Sequence, residues 1–349
     1  MKIVTIIGAR PQFIKAAIIS RELKNYKNIN EIIIHTGQHY DSNMSDIFFK
    51  QMGIPYPNYN LSIGGGTHGQ MTGRQIEEIE KILILEKPHL VIVYGDTNST
   101  LAGALAAVKL QIKIAHIEAG LRSFNRKMPE EINRIITDHI STILFAPTTS
   151  SFENLIREGI EKDKIHISGD IMYDASLFYK KVAQKPIDFE NLNFNDYILC
   201  TIHRAENTDN EIILKNIFEG LSYSKIPIII PIHPRTRARL TEFNILISNN
   251  IYLINPVGYL EMIWLEMNCN FIITDSGGVQ KEAYFHKKKC LTLRLETEWV
   301  ELLENNWNIL VGSNVDKIKN LINNLKEEVD YKYLYGTGNS ASEIVKKLL

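Results

Sequence analysis

The stretch Phe271-Ile-Ile-Thr-Asp-Ser-Gly-Gly-Val-Gln-Lys-Glu282 carries the most explicit chemistry in the chain. Phe271–Thr274 reads as a buried strand, because it is apolar, partly β-branched and too short for a helix. Asp275-Ser276-Gly277-Gly278 then turns sharply, and 279–285 continues as a helix. Two glycines at such a turn permit positive φ and let a ligand come close to the backbone. The first helical N–H groups lack intrahelical partners and sit at the positive end of the dipole, a seat for phosphate. A tight turn with a Ser or Asp cap would use the same residues without any ligand. Glu282 tips the balance. A carboxylate one turn into the helix, on the side of the turn, repels phosphate but suits a pair of ribose hydroxyls. Phosphate donors with a hydroxyl acceptor point to a nucleotide.

Further charged residues follow apolar runs. Arg10, in Gly8-Ala-Arg-Pro-Gln12, stands after Lys2–Ile7, and Pro11 suits the first turn of a helix. The segment is not GxGxxG, so it carries no dinucleotide fingerprint. Asp96 follows Leu90–Tyr94, where it would also serve as an N-cap. Glu118 follows Lys113–Ile117 and has no capping role there. Glu130 and Glu131 open a helix after Pro129, where acids ordinarily answer the dipole. His203-Arg204 and His233-Pro234-Arg235 end two later strands, and such donors can neutralise a pyrophosphate leaving group. Asp96, Glu118 and Glu130 could together hold a metal, but no local ligand motif supports that. Acid–base work on a sugar fits the three carboxylates better.

These residues need a scaffold that displays strand ends. Short apolar runs alternate with amphipathic stretches throughout: 2–7, 31–36, 90–94, 113–117, 142–146 and 164–167, then 197–202, 227–232, 251–254, 271–274, 289–293 and 308–311. Arg74–Glu86 shows the clearest helical face. Strands that are continuously apolar have both faces covered, which implies α/β architecture with parallel, doubly wound sheets. The rhythm pauses near Gly169–Ala175. The expectation is two Rossmann-like domains facing a cleft, 1–170 with 336–349 and 171–335, with ligand at the carboxyl ends of the strands.

At 349 residues the chain exceeds one ordinary core, and its 44% hydrophobic and 23% charged residues are those of a soluble globular protein. A net charge of −1 argues against nucleic acid or an anionic membrane as partner. No stretch approaches the ~18–20 apolar residues of a bilayer span. Cys200, Cys269 and Cys290 are widely spaced and lack a CxxC, which implies buried free thiols in a reducing cytoplasm.

Taken together, Gly8-Ala-Arg-Pro11, Thr36-Gly-Gln-His39, Gly95-Asp-Thr97, His116-Ile-Glu-Ala-Gly-Leu-Arg122, Pro129-Glu-Glu-Ile-Asn-Arg134, His203-Arg204, Thr274–Gln280 and Glu282 closely resemble the non-hydrolysing UDP-N-acetylglucosamine 2-epimerase family. The resemblance spans nearly the whole chain. It implies the glycosyltransferase-B fold, a homodimer, no NAD and no catalytic metal. It also implies inversion at C2 of a UDP-2-acetamido sugar through loss and re-addition of UDP. By match to the motifs, Asp96, Glu118, Glu130 and His203 are the catalytic residues. Arg10, Lys15, Ser276, Gly277, Gly278 and Glu282 would hold UDP, with His233 and Arg235 beside them. Two departures, Gln12 for the common Glu and Thr297-Glu-Trp-Val-Glu301 for Thr-Glu-Arg-Pro-Glu, look like the branch acting on UDP-2,3-diacetamido-2,3-dideoxy-D-glucuronate for surface polysaccharide. Losing a negative charge at Gln12 would ease the approach of a substrate carboxylate. Asp41 and Gly69 stand where allosterically activated members carry Gln and Arg, so that regulation is not expected. The competing readings are a 2-epimerase that converts UDP-N-acetylglucosamine to UDP-N-acetylmannosamine and, more distantly, a glycosyltransferase or a nucleotide-sugar sensor of the same fold.

Overall fold

The computed structural model describes residues 1–38, 53, 56–190, 192, 194–325 and 330–349; His39 and Asp41 lie outside them. The chain divides into two units, 1–175 with 333–349 and 176–332. Each is built on one parallel sheet.

The first sheet contains β1 (Lys2–Ile7), β2 (Asn30–His35), β3 (Tyr59–Asn60), β4 (Leu90–Tyr94), β5 (Lys113–Ile117), β6 (Ile143–Ala146) and β7 (Ile165–Ile167), in the order β3-β2-β1-β4-β5-β6-β7. Every residue of β4 is buried, as expected of a strand covered on both faces. Chain order reverses between β1 and β4, whose register pairs Ile3 with Leu90. That reversal is the switch point at which such sheets open a crevice at their carboxyl ends. The helix Asn98–Lys109 lies close against the sheet because its inner residues are small. A Cβ on Gly103 would come within 2.6 Å of Ile6 Cδ1. The last helix, Ser340–Leu348, packs on Arg10–Leu23 through Ala341, Ile344, Val345 and Leu348. Asp174 Oδ2 accepts the N–H of Ala341 at 2.8 Å and anchors its first turn.

The second sheet contains β8 (Ile198–Thr201), β9 (Ile228–Pro231), β10 (Ile251–Ile254), β11 (Ile272–Thr274), β12 (Cys290–Thr292) and β13 (Asn308–Leu310), in the order β10-β9-β8-β11-β12-β13. Its switch point falls between β8 and β11, which pair Leu199 with Ile272. One face is covered by Leu214, Ile217, Phe218 and Leu221, the other by Leu265, Val279 and Ala283. Each fully buried aliphatic side chain contributes about 1.5–3 kcal/mol.

Three sequence expectations change. The two-residue β3 gave no periodic signal. The helix expected over 74–86 begins earlier, at His68, where Thr67 Oγ1 caps Gln70 N. Gly277 and Gly278 belong to the first turn of the helix Gly277–Phe285, and neither has positive φ. Cys200, Cys269 and Cys290 are buried free thiols. Burial pushes Cys269 and Cys290 up to about 12, so both stay protonated and inert at neutral pH.

Candidate active site

In the first unit the sequence candidates gather at the carboxyl ends of β1, β4 and β5. Asp96 is not the cap its position suggested. Thr97 caps the helix Asn98–Lys109, its Oγ1 accepting from Thr100 N at 3.2 Å. The Asp96 carboxylate is therefore available, and Arg134 Nη2 meets it at 2.6 Å. Arg134 comes from the helix Pro129–Ile140, and its Nη1 also reaches Glu131 Oε2 at 2.8 Å. Burial works against the Arg134 charge, but Asp96 and Glu131 outweigh it and raise the guanidinium pKa. Asn133 Nδ2 donates to the Asp96 carbonyl at 2.9 Å, so one helix fixes both backbone and side chain of Asp96.

The two acids that open this helix have different work. Glu131 is buried and accepts the N–H groups of Ser123 and Phe124 at 3.0 and 2.8 Å, a structural duty. Glu130 is half-buried, and among the described residues its carboxylate has no hydrogen-bond or ion-pair partner.

Glu118 adopts φ +71°, unusual for a residue with a Cβ. The strain is held by its surroundings. The N–H groups of Glu118 and Ala119 both donate to the Phe145 carbonyl, at 3.2 and 3.0 Å. Gly120 donates to Asp138 Oδ2 at 3.1 Å. Asp138 is a buried hub: His116 Nδ1 lies 2.7 Å from Oδ1, and Arg122 Nη1 2.8 Å from Oδ2. The other His116 nitrogen lies 2.7 Å from the carbonyl oxygen of Gly95, which ties the Glu118 turn to the Asp96 turn. Glu118 Oε1 pairs with Lys15 Nζ at 2.6 Å, both side chains under 10% exposed. The charge of Lys15, expected for UDP, thus belongs to Glu118. Gly95 makes room for this pair, since a Cβ there would lie 3.2 Å from Lys15 Nζ. Arg10, first residue of its helix, is half-buried.

Gln12 overturns the charge argument attached to it. It is 1% exposed, with Oε1 accepting from Gly8 N and Ala9 N and Nε2 donating to the Tyr94 carbonyl and Thr100 Oγ1. The side chain cross-braces β1 and β4 at the switch point and presents nothing to a substrate. Gln12→Met, similar in volume but unable to bond, is expected to cost about 1–3 kcal/mol of stability. Urea unfolding would show this, and an unchanged midpoint would contradict the bracing role.

In the second unit Asp275, read as part of a turn, joins the two strands at the switch point. It is 0% exposed and accepts from His203 N, Arg204 N and Asn207 Nδ2 at 3.0–3.1 Å. His203, half exposed, sets Nδ1 3.4 Å from Asp275 Oδ1. Ser276 caps the helix Gly277–Phe285 through Oγ and Val279 N. A Cβ on Gly277 would lie 2.4 Å from Glu298 Oε1, so a larger residue there would displace that carboxylate. Gly278 is open, leaving the helix N-terminus approachable. Trp299, where the resemblance led one to expect Arg, is 4% exposed and donates Nε1–H to the Gly277 carbonyl at 2.9 Å. Lys281 Nζ lies 4.1 Å from the centre of its ring. The indole therefore braces the glycine turn from behind.

His233 caps the helix Pro234–Glu242, its Nδ1 accepting from Arg235 N at 3.2 Å. Burial, then the charges of His203 and Arg235, lower its pKa, so this ring is neutral at pH 7. The Arg235 guanidinium bonds Asp209 in a half-exposed pair. Glu282 is 8% exposed. Among the described residues no three His, Cys, Asp or Glu side chains form a set able to hold a metal ion, and no helix is long and apolar enough to cross a membrane.

Sequence reasoning missed Arg134, Asp138 and Asp275 as partners. Only Arg134 left a trace, three residues after Glu131, where side chains meet on a helix.

Comparison with known proteins gives this geometry a context. The family model described as UDP-N-acetylglucosamine 2-epimerase matches residues 21–349. A UDP-N-acetylglucosamine 2-epimerase homolog of Methanococcus maripaludis is 56% identical, covering 100% of this chain and 99% of that one. The UDP-2,3-diacetamido-2,3-dideoxy-D-glucuronate 2-epimerase of Pseudomonas aeruginosa is 53% identical, with the same coverage. A crystal structure of Methanocaldococcus jannaschii UDP-GlcNAc 2-epimerase in complex with UDP-GlcNAc and UDP matches with TM-score 0.89 and 50% identity, over 100% of this chain and 99% of that one. Two parallel-sheet units, with the family's motifs at both switch points, thus accompany a full-length sequence match, and the chain belongs to the non-hydrolysing UDP-N-acetylglucosamine 2-epimerase family, whose members are UDP-sugar isomerases.

Proposed function

We propose that the enzyme inverts C2 of a UDP-2-acetamido sugar by eliminating UDP and adding it back. The C2 proton has no adjacent carbonyl and is a poor acid, so charge must first develop at C1. The C1–O bond breaks and its electron pair leaves with UDP. C2 gives its proton to a carboxylate, and a C1=C2 double bond forms. Return of a proton to the opposite face of C2 and of UDP to C1 completes the inversion.

The observation that carries this reading is the pair of carboxylates at the ends of β4 and β5, each locked to its own cation: Asp96 to Arg134 and Glu118 to Lys15, both at 2.6 Å. Such acids stabilise a developing ring cation and exchange protons with C2. Glu130 is the third acid. His203, held by Asp275, donates to the departing diphosphate. Ser276, Gly277 and Gly278 bind that diphosphate at the helix N-terminus, Glu282 takes the ribose, and Arg10, His233 and Arg235 complete UDP binding. Lys15 serves UDP only through Glu118.

For the sugar we favour UDP-2,3-diacetamido-2,3-dideoxy-D-glucuronate, converted to its mannuronate epimer by a cytoplasmic homodimer that supplies a surface polysaccharide. The 53% identity to the Pseudomonas enzyme supports it. The 50% identity to the Methanocaldococcus enzyme supports UDP-GlcNAc as second reading. A panel of UDP-sugars in deuterated water separates them: the true substrate gains deuterium at C2, without any acceptor sugar, at least about tenfold faster than the other in kcat/KM, the discrimination a lost polar contact gives. Label in neither would overturn the epimerase chemistry.

A further inference from the structure

Two buried side chains grip the turn at Gly277 and Gly278, and the reaction above gives neither a step. Gln280 is 0% exposed, and its Nε2 donates to the Ser276 carbonyl at 3.2 Å. Trp299 donates Nε1–H to the Gly277 carbonyl at 2.9 Å, with its ring set against Lys281 Nζ. The two donors are tied to each other. Thr297 Oγ1 donates to Gln280 Oε1 at 2.8 Å and accepts the Trp299 backbone N–H at 3.2 Å. Asn308 Nδ2, at the start of β13, reaches the same Gln280 oxygen at 3.2 Å. With its oxygen held by two donors, the Gln280 amide turns its nitrogen toward Ser276.

What these bonds control follows from the planarity of the peptide unit. In a trans peptide the N–H points opposite to the C=O of the preceding residue. The Ser276 carbonyl shares its plane with the Gly277 N–H, and the Gly277 carbonyl shares its plane with the Gly278 N–H. Holding the two oxygens therefore sets the direction of the two N–H groups. Neither N–H has an acceptor among the described residues, so both remain for a ligand. The plane between Gly277 and Gly278 is flanked by the two residues freest to rotate, which makes an outside hold on its carbonyl effective. A donor on the carbonyl also polarises the unit and strengthens the N–H at its other end.

We propose that Trp299 and Gln280 are positioning residues, which aim the N–H groups of Gly278 and Gly277 at the diphosphate of UDP. The inference rests on the reading that this turn binds the diphosphate.

The test titrates the full chain with UDP and with uridine, which keeps base and ribose but lacks the diphosphate. Trp299→Phe keeps an aromatic ring and loses the N–H, while Gln280→Met keeps the length and loses the amide. Each is expected to bind UDP about three- to tenfold more weakly, the worth of one hydrogen bond, and uridine within about twofold of wild type. Gly278→Pro removes one aimed N–H from a first helical turn, where proline is tolerated, and should weaken UDP alone by at least as much. A variant that loses UDP and uridine alike has only loosened the unit, and its residue then has no positioning role. UDP binding unchanged in Trp299→Phe and Gln280→Met, with the loss kept in Gly278→Pro, overturns the inference and leaves the diphosphate reading standing. Unchanged UDP binding in a folded Gly278→Pro overturns that reading and the inference with it. If Gln280→Met or Gly278→Pro does not fold, Trp299→Phe decides alone: a wild-type ratio of UDP to uridine affinity refutes the aiming.

Discussion

Asp96→Asn is expected to stop turnover, lowering kcat by about 100- to 10,000-fold, the usual worth of a positioned acid or base, while UDP binds as before. The amide has the shape of the carboxylate and can still accept from Arg134, whose second contact, Glu131 at 2.8 Å, is untouched. The loop should keep its place, because Asn133 bonds the Asp96 backbone and not its side chain. What is lost is the negative charge and the capacity to take up a proton. With UDP assigned to Arg10 and to residues of the second unit, and not to Asp96, affinity should stay within about twofold, a difference under ~0.5 kcal/mol. Isothermal titration with UDP and deuterium uptake at C2 measure the two halves of this statement. Substantial C2 exchange in the variant would remove Asp96 from the proton chemistry. A large loss of UDP affinity would instead show that the residue helps to bind.

The sequence revealed the scaffold because its strands are long enough to be continuously apolar. Val91, Ile92 and Val93 can only be a strand buried on both faces, and a succession of such runs implies parallel sheets. The two residues of β3 are too few to show any period. The start of the helix Gly277–Phe285 was misplaced because Gly-Gly is ambiguous: it permits positive φ, but it also answers a close neighbour, here Glu298. The side-chain partners were harder still. Lys15 and Glu118 are 103 residues apart, and His203 and Asp275 are 72 apart. Nothing local marks such pairs, since only the strand order brings them together. Residue type alone also misled. Asp96 looked like a cap because aspartate commonly is one, yet Thr97 takes that task. Gln12 looked suited to ease the approach of a substrate carboxylate, yet its amide is spent on the backbone and on Thr100.

Removing the buried hub of the first unit should cost more stability than any other single change considered. Asp138→Ala strips the partner from Arg122, His116 and the Gly120 N–H at once. Breaking a buried charge pair by deleting one member costs about 3–5 kcal/mol, because the other charge is left in a dry site. Arg122 keeps its two bonds to Glu158, both 2.7 Å, which places the expected loss toward the lower end. The effect should reach the chemistry as well. Without Asp138, His116 no longer holds the Gly95 carbonyl in place, and the left-handed turn at Glu118 loses its Gly120 anchor, so residual activity should fall even at temperatures where the variant is folded. Wild type should show the same dependence through pH. Burial alone would raise the Asp138 carboxyl, but His116 and Arg122 outweigh it and hold it below the ordinary aspartate range. Its stabilisation is therefore complete above the unfolded value near 4 and is lost as pH falls through the lower folded value. Urea unfolding of wild type and Asp138→Ala at pH 7 and pH 3 tests both claims together. The gap between them should be widest at pH 7 and narrow in acid. A gap that stayed constant with pH would mean that the loss at Asp138→Ala reflects a cavity and not a charge.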